Sequence, residues 1–218
     1  MGRQGRPASA LNHIAHFLLA PHTAPGAAGT LLADFHRGAI GPELPPEVAR
    51  AIALHRAIDG HTDRHPVSAG ARSLFDPGMR RYAGVALDVH FDHCLARRWD
   101  RHAAVPFEAF VQATYARLEE GLVTLDLRDP PERLHGFARA MIDGDWLGEF
   151  RRFEGVERTL ERLNYAIRRR FGREVDLRPL AGELRRLHDP LEQAFDALFP
   201  DLVTFVATRA ESDDQGEL

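Results

Sequence analysis

The stretch H-R-A-I-D-G-H-T-D, residues 55–63, decides how the rest of the chain folds around it. Upstream, Val48 and Ile52 begin an apolar stripe at helical spacing, and the same spacing continues onto His55 and Asp59. An imidazole and a carboxylate therefore fall within an apolar arc, where an unpaired charge costs on the order of several kcal/mol. A divalent cation would offset that cost. The alternative is that this stretch is the exposed end of a surface helix.

A second segment, residues 84–99, repeats this unusual combination. Its helical pattern places Asp88 and Asp92 one turn apart on the apolar side, with His93 at the margin of that side. Two carboxylates at this spacing repel each other in an apolar setting, and a shared cation would remove the repulsion. Two helices with the same feature favour a metal site over isolated buried acids.

The candidate ligands are rich in oxygen and include one imidazole nitrogen. They are His55, Asp59, Asp88 and Asp92, with Asp34 as a fifth candidate. Such ligands suit Mn²⁺, Mg²⁺ or Fe²⁺ better than a zinc site built on cysteine. A cation held there could activate water and bind a phosphoryl oxygen.

Other polar groups near these segments are candidates for catalytic roles. His16, His93 and Asp63 could orient ligands or transfer protons, and Arg56 could neutralise a phosphoryl oxygen. Each has a plainer alternative: His16 as a hydrogen-bonded core residue, or Arg56 in a surface ion pair. Eight histidines have no comparable context and are predicted to be surface residues: His13, His22, His36, His61, His65, His90, His102 and His135.

Composition limits the classes of protein to which the chain can belong. With 218 residues, 44% of them hydrophobic and 28% charged, the chain is long enough for one well-buried domain. Its net charge of −4 gives no electrostatic case for nucleic-acid binding. No apolar run approaches the roughly 18 residues of a membrane span. The single cysteine, Cys94, fits a reducing compartment, so we predict a cytoplasmic protein.

The patterns of these segments together predict an all-α, single-domain helical bundle. Pro45 and Pro46 mark the start of the helix that carries His55, and residues 29–35 predict a short helix of two turns. No convincing strand pattern, internal repeat or linker is present. We predict a disordered leader over residues 1–10, an all-helical domain over 11–208 and a disordered acidic tail over 209–218.

Several motifs together resemble the acyl carrier protein phosphodiesterase family. They are N-x-x-A-H at residues 12–16, L-L-A-D-F at 31–35, H-R-x-I-D-x-x-T-D at 55–63 and L-D-x-x-x-D-H at 87–93, followed by Trp99. Order and spacing agree between residue 11 and about residue 200, and the match is looser in the C-terminal half.

The resemblance implies a fold related to the HD-domain phosphohydrolases. It also implies a manganese-dependent hydrolysis that removes 4′-phosphopantetheine from holo-acyl carrier protein and restores the free serine of the apo form. The chain departs from the HD pattern, since its only His-Asp dipeptide is His188-Asp189, outside the matched cluster. Two other functions stay open: a metal phosphohydrolase acting on small phosphoesters or nucleotides, and a non-catalytic helical interaction protein.

An acidic acyl carrier protein as substrate would require a basic surface beside the metal site. The candidate docking residues are Arg97, Arg98, Arg101 and Arg169. The first three follow directly on the helix that carries Asp88 and Asp92, so one helix would supply ligands and docking charges. The alternative is that they are solvated arginines at helix ends.

Overall fold

The computed structural model describes residues 13–125, 133–171 and 175–216, and within them all regular structure is helical. The predicted all-α, single-domain fold is confirmed. The α-helices, numbered in chain order, are α1 (His13–Leu19), α2 (Ala24–Leu32), α3 (Pro46–Arg64), α4 (Pro66–Ser73), α5 (Ala83–Arg97), α6 (Phe107–Thr124), α7 (Leu134–Asp143), α8 (Trp146–Glu149), α9 (Phe153–Phe171), α10 (Pro179–Arg186) and α11 (His188–Gly216). None of these described helices combines the length and the apolar character needed to cross a bilayer.

Helix α5 runs through the middle of the bundle and contacts α1, α4, α9, α10 and α11. From Val89 to Ala96 every side chain is buried, which explains why its apolar pattern covers more than one face. Just beyond its end, the buried Trp99 packs on Phe107 and Phe110 and donates its indole N–H to the Val105 carbonyl at 2.7 Å. The polar groups on α5 therefore have protein neighbours rather than solvent around them.

Helix α2 lies against both α3 and α6 because glycines allow close approach. A Cβ on Gly29 would meet the Val48 carbonyl oxygen at 2.7 Å, and one on Gly121 would meet the Ala24 carbonyl oxygen at 2.1 Å. The helix begins earlier than its sequence pattern predicts, since Thr23 caps it by accepting the Gly26 N–H at 3.1 Å. This packing fixes the C-terminal end of α2, from which the chain continues to Asp34.

Helix α3 follows its sequence signals. Proline stands in its first turn, and it ends at Arg64, two residues before Pro66. Val48, Ile52, His55 and Ile58 are buried, so the predicted inward stripe is present.

Helix α11 continues to Gly216, into the predicted acidic tail. The domain boundaries at residues 11 and 208 stay predictions. An established helix extends at little cost per residue, and Arg209, Ala210 and Glu211 all favour helix. The predicted leader, residues 1–10, lies outside the described residues.

Candidate metal centre

The candidate site is built where α1 and α3 face each other. His16 of α1 and His55 of α3 stack their imidazole rings in parallel, with centroids 3.7 Å apart and planes 5° apart. Both Nε2 atoms face the carboxylate of Asp59: that of His16 lies 3.2 Å from Oδ1, and that of His55 lies 3.7 Å from Oδ2. These three residues form a group whose donor atoms are close enough to share one ion.

The orientation of His55 is set from behind by a backbone contact. Its Nδ1 lies 3.0 Å from the carbonyl oxygen of Thr30 on α2, and only a protonated Nδ1 can donate to that oxygen. In the neutral ring, Nε2 then carries a lone pair directed at the carboxylates. Metal-binding histidines in proteins are commonly fixed by such a bond.

Asp34 completes the cluster from the segment that follows α2. Its Oδ1 lies 3.7 Å from Nε2 of His55, on the same nitrogen that faces Asp59. The Nε2 lone pair of His55 thus faces two carboxylates, an arrangement that a shared cation or proton stabilises. The donor set, two imidazoles and two carboxylates, therefore fits a divalent cation.

The electrostatic environment agrees with this geometry. Burial raises the pKa of the Asp34 carboxyl well above its usual range, and the carboxylates of Asp59 and Asp88 add to that effect. Burial, with the nearby His16, lowers the pKa of His55 well below its usual range, so this imidazole stays neutral as a ligand must.

His13 is a neighbour of the site that the sequence analysis assigned to the surface. It is buried, its Nδ1 lies 3.7 Å from Oδ2 of Asp34, and its ring packs edge-on against Phe137. Burial and the nearby His16 lower its pKa to about 3. The signal that could have found it is its spacing of three residues from His16, which places both rings on one face of α1.

The cluster is reached from the Asp59 side. The side chains of His16 and His55 are 1% and 4% exposed, that of Asp34 is 12% exposed, and that of Asp59 is 30% exposed. A substrate would therefore meet the carboxylate of Asp59 first. Phe35 and Phe137, in contact at 5.4 Å between ring centroids, add apolar surface beside His13.

The two acids of α5 have different surroundings. Asp88 lies close enough to influence the pKa of Asp34, so it stays a candidate at the edge of the cluster. Asp92 is fully buried, and its carboxylate accepts the backbone N–H groups of Ile14 at 3.1 Å and Ala15 at 3.2 Å. Asp92 thereby caps the N-terminus of α1, the helix that carries His16. A ligand role for Asp92 stays a prediction.

Asp63 and Arg56 both make contacts that join α3 to neighbouring segments, and their catalytic roles stay predictions. Arg72 donates to the Asp63 carboxylate at 3.4 Å and to its backbone carbonyl at 2.6 Å, which ties α3 to α4. Arg56 donates to the carbonyl oxygens of Gly38 at 2.8 Å and His36 at 3.0 Å. Its guanidinium thus holds the loop after Asp34 against α3.

His93 lies on another side of α5 from the cluster. Its Nδ1 lies 2.7 Å from the Phe150 carbonyl oxygen, and its ring packs against Phe153 and His90. The groups that shift its pKa beyond burial are the Phe150 carbonyl, Arg97, His188 and Glu192, none of which belongs to the cluster. The catalytic role of His93 stays a prediction.

Two of the four predicted docking arginines form ion pairs within the protein. Arg97 pairs with Glu192, and Arg98 makes two hydrogen bonds with the Asp196 carboxylate at 2.9 and 2.6 Å, so both hold α5 to α11. Arg101 and Arg169 are exposed, and a docking role for them stays a prediction.

The fold and the site define an all-α protein with a buried cluster of imidazoles and carboxylates suited to a divalent cation. The family model for acyl carrier protein phosphodiesterase matches residues 11–202. Similar proteins named acyl carrier protein phosphodiesterase from Salmonella agona, Salmonella heidelberg and Salmonella enteritidis are 32% identical over 201 residues, which is 92% of this chain and 100% of each relative. The chain belongs to the acyl carrier protein phosphodiesterase family. No solved structure gives a significant match, and the kinship with HD-domain hydrolases stays a prediction.

Proposed function

We propose that this chain hydrolyses the phosphodiester that links 4′-phosphopantetheine to the serine of holo-acyl carrier protein, with a divalent cation held by His16, His55, Asp59 and Asp34. The observation that carries the proposal is the convergence of the two stacked imidazoles on the Asp59 carboxylate. Family membership supplies the substrate. We assign the activity to the single domain spanning residues 11–208, and we place it in the cytoplasm, which the single buried thiol of Cys94 fits.

Manganese is the proposed cation, with Mg²⁺ or Fe²⁺ as alternatives. Carboxylate oxygens suit all three ions, and the two imidazole nitrogens favour Mn²⁺ or Fe²⁺ over Mg²⁺, which prefers oxygen ligands and water. When bound, such an ion supplies Lewis acidity toward water and toward a phosphoryl oxygen.

The residues of the chain hold this arrangement in place. The Thr30 carbonyl fixes the His55 ring, the Asp92 carboxylate fixes the start of α1 below His16, and Arg56 fixes the loop that follows Asp34. The walls of the site are therefore set by contacts from three separate elements. This preorganisation keeps the reacting groups from rearranging during the reaction.

Hydrolysis breaks the bond between phosphorus and the serine oxygen. Water provides the new oxygen on phosphorus, the serine oxygen takes up a proton, and the products are apo-acyl carrier protein and 4′-phosphopantetheine. The exposed edge of Asp59 is the part of the cluster that a protein-bound phosphodiester reaches first.

An acidic protein substrate requires cationic groups near that edge. Arg37 is the candidate that the structure adds, because it is exposed, lies three residues beyond Asp34 and has no acidic partner among the residues described. Arg56 holds the same loop through the carbonyls of His36 and Gly38, on either side of Arg37. Arg37 is thus presented on a loop of fixed position.

The test is hydrolysis of purified holo-acyl carrier protein, followed by mass spectrometry of the carrier protein. We expect conversion to the apo form with Mn²⁺, loss of conversion with a chelator, and recovery on adding Mn²⁺ back. Asp59→Asn should lower kcat by at least about 100-fold, since it weakens the cation site and removes the accessible carboxylate. Asp100→Asn, at an exposed acid after α5, is the matched control and should retain full activity.

Two results would overturn the proposal. Conversion that persists in the presence of chelator would exclude a required cation. A wild-type protein that cleaves small phosphoesters but leaves holo-acyl carrier protein intact would make it a metal phosphohydrolase of small substrates.

A further inference from the structure

We propose that His61, His65 and Asp201 form a second divalent-metal site, of the zinc type, that joins the end of α3 to α11. His61 lies in the last turn of α3, His65 is the residue directly after that helix, and Asp201 lies within α11. The group is separate from the cluster around His55, and the proposed hydrolysis does not use it.

The donor atoms already have the spacing of ligands around one ion. The Asp201 Oδ2 atom lies 2.8 Å from Nε2 of His61 and 3.4 Å from Nε2 of His65, and all three donor atoms lie within 4.8 Å of one another. Two donors at about 2.0–2.1 Å from a tetrahedral zinc ion lie about 3.3 Å apart. Small side-chain shifts therefore suffice to bring the three donors onto one ion.

The side chains are held where an ion from solution can reach them. His61 is 23% exposed, His65 is 18% exposed and Asp201 is 52% exposed. Phe205, one turn beyond Asp201 on α11, stacks on the His61 ring with centroids 4.3 Å apart and so restricts its rotamer. The site has a fixed wall on one side and open positions for water on the other.

The ligand types indicate which metal would bind. Two imidazoles and one carboxylate are a common zinc set, with a fourth position left for water. The cluster around His55 and Asp59 has a second carboxylate and is more suited to Mn²⁺. The two sites should therefore prefer different ions when both are offered.

Metal binding requires two hydrogen bonds to be exchanged: the one between His61 Nε2 and Asp201 Oδ2, and the one that His65 accepts from Val67. His65 Nδ1 accepts the backbone N–H of Val67 at 3.2 Å and so caps α4, which places the ring proton of neutral His65 on Nε2, beside Asp201. Coordination through Nε2 moves that proton to Nδ1, and no proton is gained or lost. The Val67 N–H then loses its acceptor, and faster hydrogen exchange of this amide reports metal binding.

The experiment is zinc binding to the full chain, measured with a chromogenic competing chelator and metal analysis. We expect wild type to bind one more equivalent of zinc than the double variant His61→Ala/His65→Ala. This difference should hold whether or not the cluster around His55 also binds zinc. Asp201→Asn keeps the α4 cap and should weaken the binding of this additional zinc equivalent by at least tenfold. His135→Ala, at an exposed histidine on α7, is the matched control and should bind zinc as wild type does.

A second readout separates this site from the one around His55. In wild type, zinc should speed amide exchange at Val67, and Asp59→Asn should leave that response unchanged. The proposal is overturned if the double variant and Asp201→Asn both retain every zinc equivalent of wild type. It is equally overturned if Asp59→Asn alone removes all zinc binding, because His61 and Asp201 then form only a hydrogen-bonded pair.

Discussion

The imidazole rings of His16 and His55 stack with their centroids 3.7 Å apart, although 39 positions separate the two residues in the chain. Two protonated rings at this distance would repel each other strongly, so the stack requires that at least one ring is neutral. Two nitrogen atoms then face one carboxylate from helices α1 and α3. The contacts that hold this stack lead to the predictions that follow.

Variants of Asp92 test whether this residue caps α1 or binds the cation. Asp92→Ala leaves the buried N–H groups of Ile14 and Ala15 without an acceptor, and should lower the free energy of unfolding by about 2–4 kcal/mol. Asp92→Asn keeps one acceptor oxygen, so it should lose less stability and retain Mn²⁺ binding. Urea unfolding and a Mn²⁺ titration of both variants check this. Loss of Mn²⁺ binding in a folded Asp92→Asn would instead show that Asp92 is a ligand of the cation.

Arg56 should act through the loop that it holds. Arg56→Ala removes two hydrogen bonds to the carbonyls of His36 and Gly38, and should increase amide exchange across residues 33–41. Because Asp34 precedes this loop, Mn²⁺ affinity should fall several-fold. Arg50→Ala, on the same helix, is the comparison. A large drop in kcat with unchanged amide exchange and unchanged Mn²⁺ affinity would instead indicate a direct contact with the phosphoryl group.

Arg37 should contribute to recognition of an acidic substrate. Arg37→Glu should raise KM for holo-acyl carrier protein by about tenfold with little change in kcat, and should reduce the salt dependence of kcat/KM. Arg101→Glu and Arg169→Glu belong in the same series, since both side chains are exposed. If Arg101→Glu raises KM while Arg37→Glu has no effect, the docking surface lies at the end of α5.

His90 should make the protein less stable in acid. Burial, with the nearby His93 and His188, lowers its pKa to about 3, and neither ring nitrogen has a hydrogen-bond partner among the described residues. The unfolded chain therefore takes up a proton below about pH 6.5 that the folded chain does not, so the stability present above that pH is lost as pH falls toward 3.

The measurement is chemical unfolding of His90→Leu between pH 7 and pH 5. Removing this imidazole should make the loss of stability shallower by up to about 1.4 kcal/mol per pH unit below pH 6.5. His135→Ala, at an exposed histidine, should leave the slope as in wild type. Equal slopes for His90→Leu and wild type would show that His90 is protonated in the folded protein.

The fold could be predicted from sequence because its signals are local. The apolar stripe with His55 and Asp59 has the helical period, and proline marks the start of α3. For the same reason the sequence shows that these two groups face inward. The helical pattern does not show which residues His55 and Asp59 contact in the interior.

The features of the site that could not be predicted depend on tertiary contacts, which a helical wheel does not contain. Asp88 and Asp92 share one face of α5, yet Asp92 meets the start of α1 and satisfies its backbone N–H groups. Arg98 meets Asp196 after a separation of 98 residues, which makes a surface arginine part of the packing. His13 is buried because Phe137 of α7 covers it. In each case the partner is distant in the chain, so local spacing carries no information about it.

The most direct test of the account is a Mn²⁺ titration followed by electron paramagnetic resonance, with wild type, His55→Ala, Asp59→Asn and Asp100→Asn compared at equal concentration. We predict that wild type and Asp100→Asn bind Mn²⁺ with the same affinity, whereas His55→Ala and Asp59→Asn lose at least about 100-fold in affinity while retaining wild-type helical content. Wild-type Mn²⁺ affinity in a folded Asp59→Asn and a folded His55→Ala would contradict it.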